Sequence, residues 1–242
     1  MVTDINLDPN ILVMTGITEL GNNIIIPESA KVVGNVTIFG NVEIGENCII
    51  EPNVILGHPL TGFYNDKNYK NPTTIIGEGS VVRSGTTIYC GVKFGKNVRT
   101  GTNAIIREHC TFGDNTIIGT AVQVENNTTV GKDTVLETGC HITAFAEIGD
   151  DVFVGPHVVT TNDNKMLRPI DRKMGKTVTL KGPTLDRGVR VGANAVILPG
   201  IKVGRNCVIG ANAVVTADVK ENSVVLGIPA KFIKEVDDDY KI

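Results

Sequence analysis

A beat of six residues constrains this chain more than any other feature. Apolar residues open successive six-residue units from Ile26 to Leu56, from Ile76 to Thr160 and from Leu185 to Val215. Of these 27 units, only those opened by Thr100 and Thr160 start with a polar residue. A helix repeats near 3.6 residues and a half-buried strand near two, so neither alone produces a period of six. Short strands joined by tight corners do. The fourth slot agrees: it is Asn, Asp or Gly in 20 of the 25 complete units, the residues that accept a left-handed backbone. Its exceptions are Ser29, His109, Ala121, Phe145 and His157.

Three units make one triangular coil, which predicts an all-β parallel β-helix of about nine coils. Inward residues from the first and fifth slots would fill its narrow core. Four of the five cysteines (Cys48, Cys110, Cys140 and Cys207) hold the fifth slot and are expected to be inert core residues. The unpaired count and wide spacing argue against a disulfide framework and fit a reducing, cytoplasmic location. A net charge of −3 and a pI near 5.8 argue against non-specific nucleic-acid binding. No apolar run reaches the roughly 18 residues of a membrane span, and the acidic start MVTDINLDPN is not a secretory signal. The expected organisation is a cap over residues 1–25, a β-helix over 26–220 and an extension over 221–242. In that extension, Pro229-Ala-Lys-Phe-Ile-Lys-Glu-Val reads as a short proline-started helix.

The beat fails twice, over 57–75 and over 161–184. If the faces are counted from Ile26, Leu56 and Thr160 both lie on the third face. Both excursions therefore leave from one corner, five coils or roughly 24 Å apart. His141 occupies an outward slot on that face, one coil before Val159, and so should lie beside the root of the second excursion. Asn162 and Asp163 fall at the corner itself, Phe145 one coil earlier on the same edge, and His157 at the preceding corner. His58 opens the first excursion, and His109 sits at a turn three coils before Asp163. From Asn162 to Arg190 the chain carries +5, leaving −8 for the remainder. Such a concentrated basic arm, which includes Arg168, suits phosphate groups.

The pattern resembles the hexapeptide-repeat acyltransferases, over about residues 26–235. The segments GANAVILPGIKVGRNCVIGANAVVTADV (192–219) and VVLGIPAK (224–231) carry that resemblance most specifically. It implies a left-handed coil, a homotrimer with active sites between subunits, and acetyl-CoA as acyl donor, with no metal. The pantetheine would run near Ala193, Ala211 and Thr216, with Lys231 by the nucleotide end. DDVFVGPHVVTTND (150–163) is similar to a segment of enzymes that acetylate amino groups of nucleotide-linked sugars, with Thr160 in place of their phenylalanine.

On that resemblance His141 is the candidate base, or else a group that positions the acceptor; His157 is a second catalytic candidate. Asn162, Asp163, Phe145 and Arg168 are candidates for acceptor binding. The expected function is N-acetylation of a nucleotide-linked amino sugar, with O-acetylation of a hydroxyl as the alternative. A γ-type carbonic anhydrase would need three converging histidines, and the gaps of 51, 32 and 16 residues between histidines offer no close pair. A non-catalytic trimeric scaffold would leave the basic loop and the acetyltransferase-like ending without a role.

Overall fold

In the computed structural model, which describes residues 16–20 and 22–242, the beat of six becomes a three-sided parallel solenoid. The first, second and third faces hold nine, eleven and ten strands. Every strand but the last pairs in parallel with the one on the same face a coil away, as in Phe112 with Val130 or Ile118 with Leu136. Every first-slot residue from Val32 to Val215 is buried, and Ile26 is half-buried. Each buried aliphatic contributes on the order of 1.5–3 kcal/mol, and each coil covers the next, so stability grows with stacking.

The two polar first slots are satisfied internally. The Thr160 hydroxyl accepts from the Thr143 amide at 2.8 Å, and the Thr100 hydroxyl accepts from the Arg83 amide at 2.9 Å. Four of the five unusual fourth-slot residues adopt the left-handed backbone all the same. Their φ values are 60° at His109, 54° at Ala121, 63° at Phe145 and 56° at His157. Asparagines at these corners also bond to one another between coils, as Asn97 does to Asn115 at 3.2 Å. All five cysteines are free and buried. Burial pushes the Cys110 thiol up to about 12 and the Cys140 thiol up to about 11.

The solenoid is longer than the nine coils expected. Strand Gly16–Leu20 adds a rung to the third face by pairing with Asn35–Phe39. It escapes a search for apolar first slots because Glu19 stands opposite Ile38. At the other end Val225 pairs with Ile209, 16 residues on instead of 18, so the last coil falls off the beat. The cap expected over 1–25 lies largely outside the described residues.

The short helix expected after Pro229 does not form. Lys231–Glu235 is instead a strand, antiparallel to Ser223–Leu226 at the edge of the second face. An isolated helix of that length is marginal in water, whereas the edge offers unpaired backbone groups. The only helical turn beyond it is Asp238–Tyr240. Among the described residues, no helix is long and apolar enough to cross a membrane.

Candidate active site

Both excursions leave the third face at the same corner. The first follows strand Ile55–His58 and the second follows Val159–Thr160, and those strands stand five rungs apart in one sheet. The chain between is uninterrupted solenoid, so this corner forms an edge bounded by a loop at each end. Residues 59–73 contain a helical turn at Gly62–Asn65, and residues 161–183 contain a short helix at Pro169–Lys173.

The second slot distinguishes this corner from the other two. At the corner after the first face it is Gly45, Gly77, Gly95, Gly113, Gly131, Gly149 and Gly204 in seven of nine units. At the corner after the second face glycine takes five of nine. At the third corner it takes one, Gly57, and the row reads Phe39, Tyr89, Arg107, Glu125, Thr143, Thr161, Leu198 and Thr216 elsewhere. That contrast was available in the sequence once the units were sorted by face. It identifies residues that a search for histidines and interruptions passes over.

His141 lies half-buried on the third face, paired with Gln123 below and Val159 above, one rung from the root of the second excursion. Its carbonyl accepts from the Thr160 hydroxyl at 3.4 Å, and no side-chain bond holds its ring among the described residues. His157, at the preceding corner, is exposed, and its ring lies over Gly139, where a Cβ would stand 2.4 Å from it. His109 covers Gly91 in the same way, so both rings fill a glycine step in a column of turns. The structure thus gives His141 and His157 different surroundings.

Asn162 closes the second excursion. Its side-chain amide donates to the Ala144 carbonyl at 3.3 Å, and its own carbonyl accepts from the Lys181 amide at 2.9 Å. One Asp163 oxygen accepts from the amides of Lys165 and Met166, both at 2.8 Å, in a local turn. Phe145 stands 43% exposed on the coil below. The Asn162 bond ties the loop's root to the coil of Phe145, and His141 lies on the strand that leads into that coil's corner.

Arg168 is committed elsewhere. It pairs with Asp171 at 2.8 Å, and Lys176 reaches the same carboxylate at 2.8 Å. The two cations pull Asp171 down to about 2 and stitch the short helix to the loop. Arg187 is paired with Asp151, and Arg190 lies over the Tyr240 ring. No ion pair among the described residues engages Lys165, Arg172, Lys173 or Lys181.

Ala193 and Ala211 stack in one column at the second corner, linked through the Asn212 amide and the Ala193 carbonyl at 2.9 Å. Thr216 lies across the third face from them, in the second-slot row. Lys231 opens the terminal strand beside a cavity of about 460 Å³, lined in part by Val215, Ala217, Ala230 and Phe232. Among the described residues no group of His, Cys, Asp or Glu could hold a metal.

Residues 127–162 and 182–217 match the family model described as bacterial transferase hexapeptide (six repeats). These two stretches carry that family's repeat. Galactoside O-acetyltransferase from Escherichia coli (strain K12) is 30% identical to it over 103 residues, which cover 39% of this chain and 50% of that protein. Acyl-[acyl-carrier-protein]–UDP-N-acetylglucosamine O-acyltransferase from Rickettsia typhi is 30% identical over 87 residues, covering 35% and 31%. The chain thus spans half or less of the length of these curated relatives. Among solved structures, UDP-N-acetylglucosamine acyltransferase from Arabidopsis superposes with a TM-score of 0.64 at 18% identity, covering 95% of this chain and 75% of that one. The corresponding enzyme from Bacteroides fragilis gives 0.63 at 17% identity, covering 87% and 74%. At such identities the likeness is one of fold.

Proposed function

We propose that this chain is an acetyl-CoA-dependent N-acetyltransferase acting on the amino group of a nucleotide-linked amino sugar. The observation that carries the reading is His141, its ring unbonded, one rung from the root of the basic excursion. A neutral amine attacks the thioester carbonyl, the tetrahedral oxyanion collapses, and the sulfur leaves as thiolate. His141 takes the proton that the nitrogen sheds and returns it to that sulfur, so amide and free thiol are the products. Most of the rate comes from holding amine and thioester together.

Acetyl-CoA would lie along the last coils, past Ala193, Ala211 and Thr216, with Lys231 at its nucleotide end. The relation of the ending GIPAK to that family's acetyltransferases and the cavity beside Lys231 support this placement. Lys165 and Lys181 carry unpaired charge for phosphates. The active unit would be a homotrimer with each site between neighbours, which gives the exposed edge its missing wall. Five free, buried thiols fit a reducing cytoplasm.

A second reading, O-acetyl transfer, is favoured by the curated relatives, which are named as an O-acetyltransferase and an O-acyltransferase. Thiol release from acetyl-CoA, measured against UDP- and TDP-linked amino sugars and their hydroxyl counterparts, decides between them. Turnover with amino sugars alone supports the proposal. Turnover with hydroxyl sugars alone replaces it with O-transfer. Silence with every acceptor, and no binding of acetyl-CoA, removes the enzyme reading.

A further inference from the structure

Between the two excursions the third corner carries side chains that the transfer chemistry at His141 does not use. Arg107 binds Glu108 in two places, Nε to Oε2 at 2.8 Å and Nη2 to Oε1 at 3.0 Å. Glu108 is buried, so the fork fixes the plane of the guanidinium. That plane lies over the Tyr89 ring, 5.0 Å from its centroid. Its remaining nitrogen, Nη1, stands 3.9 Å from Glu125 Oε2, beyond hydrogen-bond reach. Neither the Tyr89 hydroxyl nor the Glu125 carboxylate has a hydrogen-bond partner among the described residues.

A buried carboxylate that serves only to hold one arginine in place is a poor way to gain stability. It is a good way to hold donors in a fixed direction. The edge therefore presents a hydroxyl, a fixed N–H pair and a carboxylate that accepts no hydrogen bond in sequence, at solenoid spacing. Glu125 follows Val124, which pairs with Ile142, so it lies one rung below and two residues along from His141. At the far end the Tyr89 ring meets His58 at 4.5 Å, and His58 leads through Phe39 to Phe63 and Tyr64, which are 41% and 66% exposed. The row holds one guanidinium and two carboxylates. That balance repels a diphosphate and suits hydroxyls or an ammonium group.

We infer that the row Tyr89–Arg107–Glu125 is a carbohydrate subsite. It takes the pyranose ring of the acceptor through its hydroxyls and directs the reacting group toward His141. Phosphates lie on the other side of His141, by the basic excursion. The inference rests on the proposed transfer to a sugar, and it commits to where the ring sits.

The test separates binding from turnover. Ligand-observed NMR titration of the full chain with methyl glucosaminide, and separately with UDP, is run on wild type, Glu125→Gln and Arg107→Leu. Thr129→Ala, on the outside of the first face, serves as control. Glycoside affinity should fall about tenfold in each row variant, with UDP binding and the control unchanged. An unchanged glycoside affinity in Glu125→Gln overturns the subsite. So does a loss confined to UDP, or a wild type that binds no glycoside at all. If glycoside binding follows the row while acetyl-CoA is never turned over, the subsite stands and the transferase reading fails. Should Arg107→Leu lower the melting temperature, Glu125→Gln, whose partly exposed carboxylate accepts no hydrogen bond, still decides.

Discussion

The first and third corners are built from the same six-residue unit and do opposite things. At the first corner the second slot faces the backbone of the next coil. A Cβ on Gly77 would stand 2.0 Å from the Gly95 carbonyl oxygen, and one on Gly113 would stand 2.4 Å from the Lys132 nitrogen. These glycines have no left-handed φ, so room and not backbone freedom dictates them. At the third corner the same slot holds Tyr89, Arg107 and Glu125, where the Arg107 guanidinium lies over the Tyr89 ring and 3.9 Å from the Glu125 carboxylate. One corner is spent on stacking, and the other keeps a surface on which chemistry can be written.

The contrast breaks most severely at the glycines. Gly77→Val pushes a branched side chain into backbone that cannot yield, and we expect a loss of about 3 kcal/mol or more. For a chain of this size that is roughly 6–12 °C in the thermal midpoint, read by circular dichroism at the strand signal. Glu125→Ala, in the equivalent slot of the third corner, should stay within about 0.5 kcal/mol of wild type. Equal losses at the two positions would show that the corners do not differ as described.

His141→Ala tests whether the third corner's surface is used for catalysis. With an amino acceptor, positioning carries most of the rate, and kcat should fall about tenfold. With a hydroxyl acceptor the same change should cost about 10²–10⁴-fold, because an alcohol needs a true base. Steady-state kinetics on both acceptor types gives the ratio. His157→Ala, which removes a ring packed over Gly139, should lower the melting temperature slightly and leave kcat intact.

How much of this contrast is legible in the sequence follows from what a period can encode. The beat of six locates the core, the corners, both excursions and the place of His141, because burial forces an apolar residue at every first slot. It misses strand Gly16–Leu20, where Glu19 takes that slot, and the final coil, which is two residues short. The terminal strand Lys231–Glu235 looks helical because proline and charged residues start helices locally. Only the open edge of the second face makes pairing the better choice. Arg168 shows the limit for the site: sequence supplies a basic loop, but which charges are already spent on Asp171 depends on the fold of the loop itself.

Asp171 therefore sharpens the comparison at the loop end of the third corner. Its carboxyl is drawn down to about 2 by Arg168 and Lys176, below an ordinary value of 3.8. A lowered folded-state value means that the ion pairs help order the loop at pH above about 4, and that this help is lost as pH falls toward about 2. Hydrogen exchange of residues 161–183 should accelerate over that window, ahead of the stacked coils. Asp171→Asn should show the faster exchange already at pH 7, without change in the glycine corner. Loop exchange that stays flat through the window would mean that the ion pairs do not hold the excursion.

The smallest effect belongs to the interior that both corners share. Cys110 and Cys140 are fully buried, with thiols pushed up to about 12 and about 11 by loss of hydration. A thiol that cannot ionise at neutral pH is a poor nucleophile, and here it is also walled in by neighbouring coils. Incubation of the native chain with iodoacetamide at pH 8 should leave the intact mass unchanged at these residues, while denaturant exposes all five thiols. Labelling of Cys140 in the native state would have a specific meaning, since it lies in the rung that carries His141. It would show that the solenoid opens locally beside the second excursion on the timescale of the reaction, and that the third corner is a looser element of the stack than the glycine corner opposite.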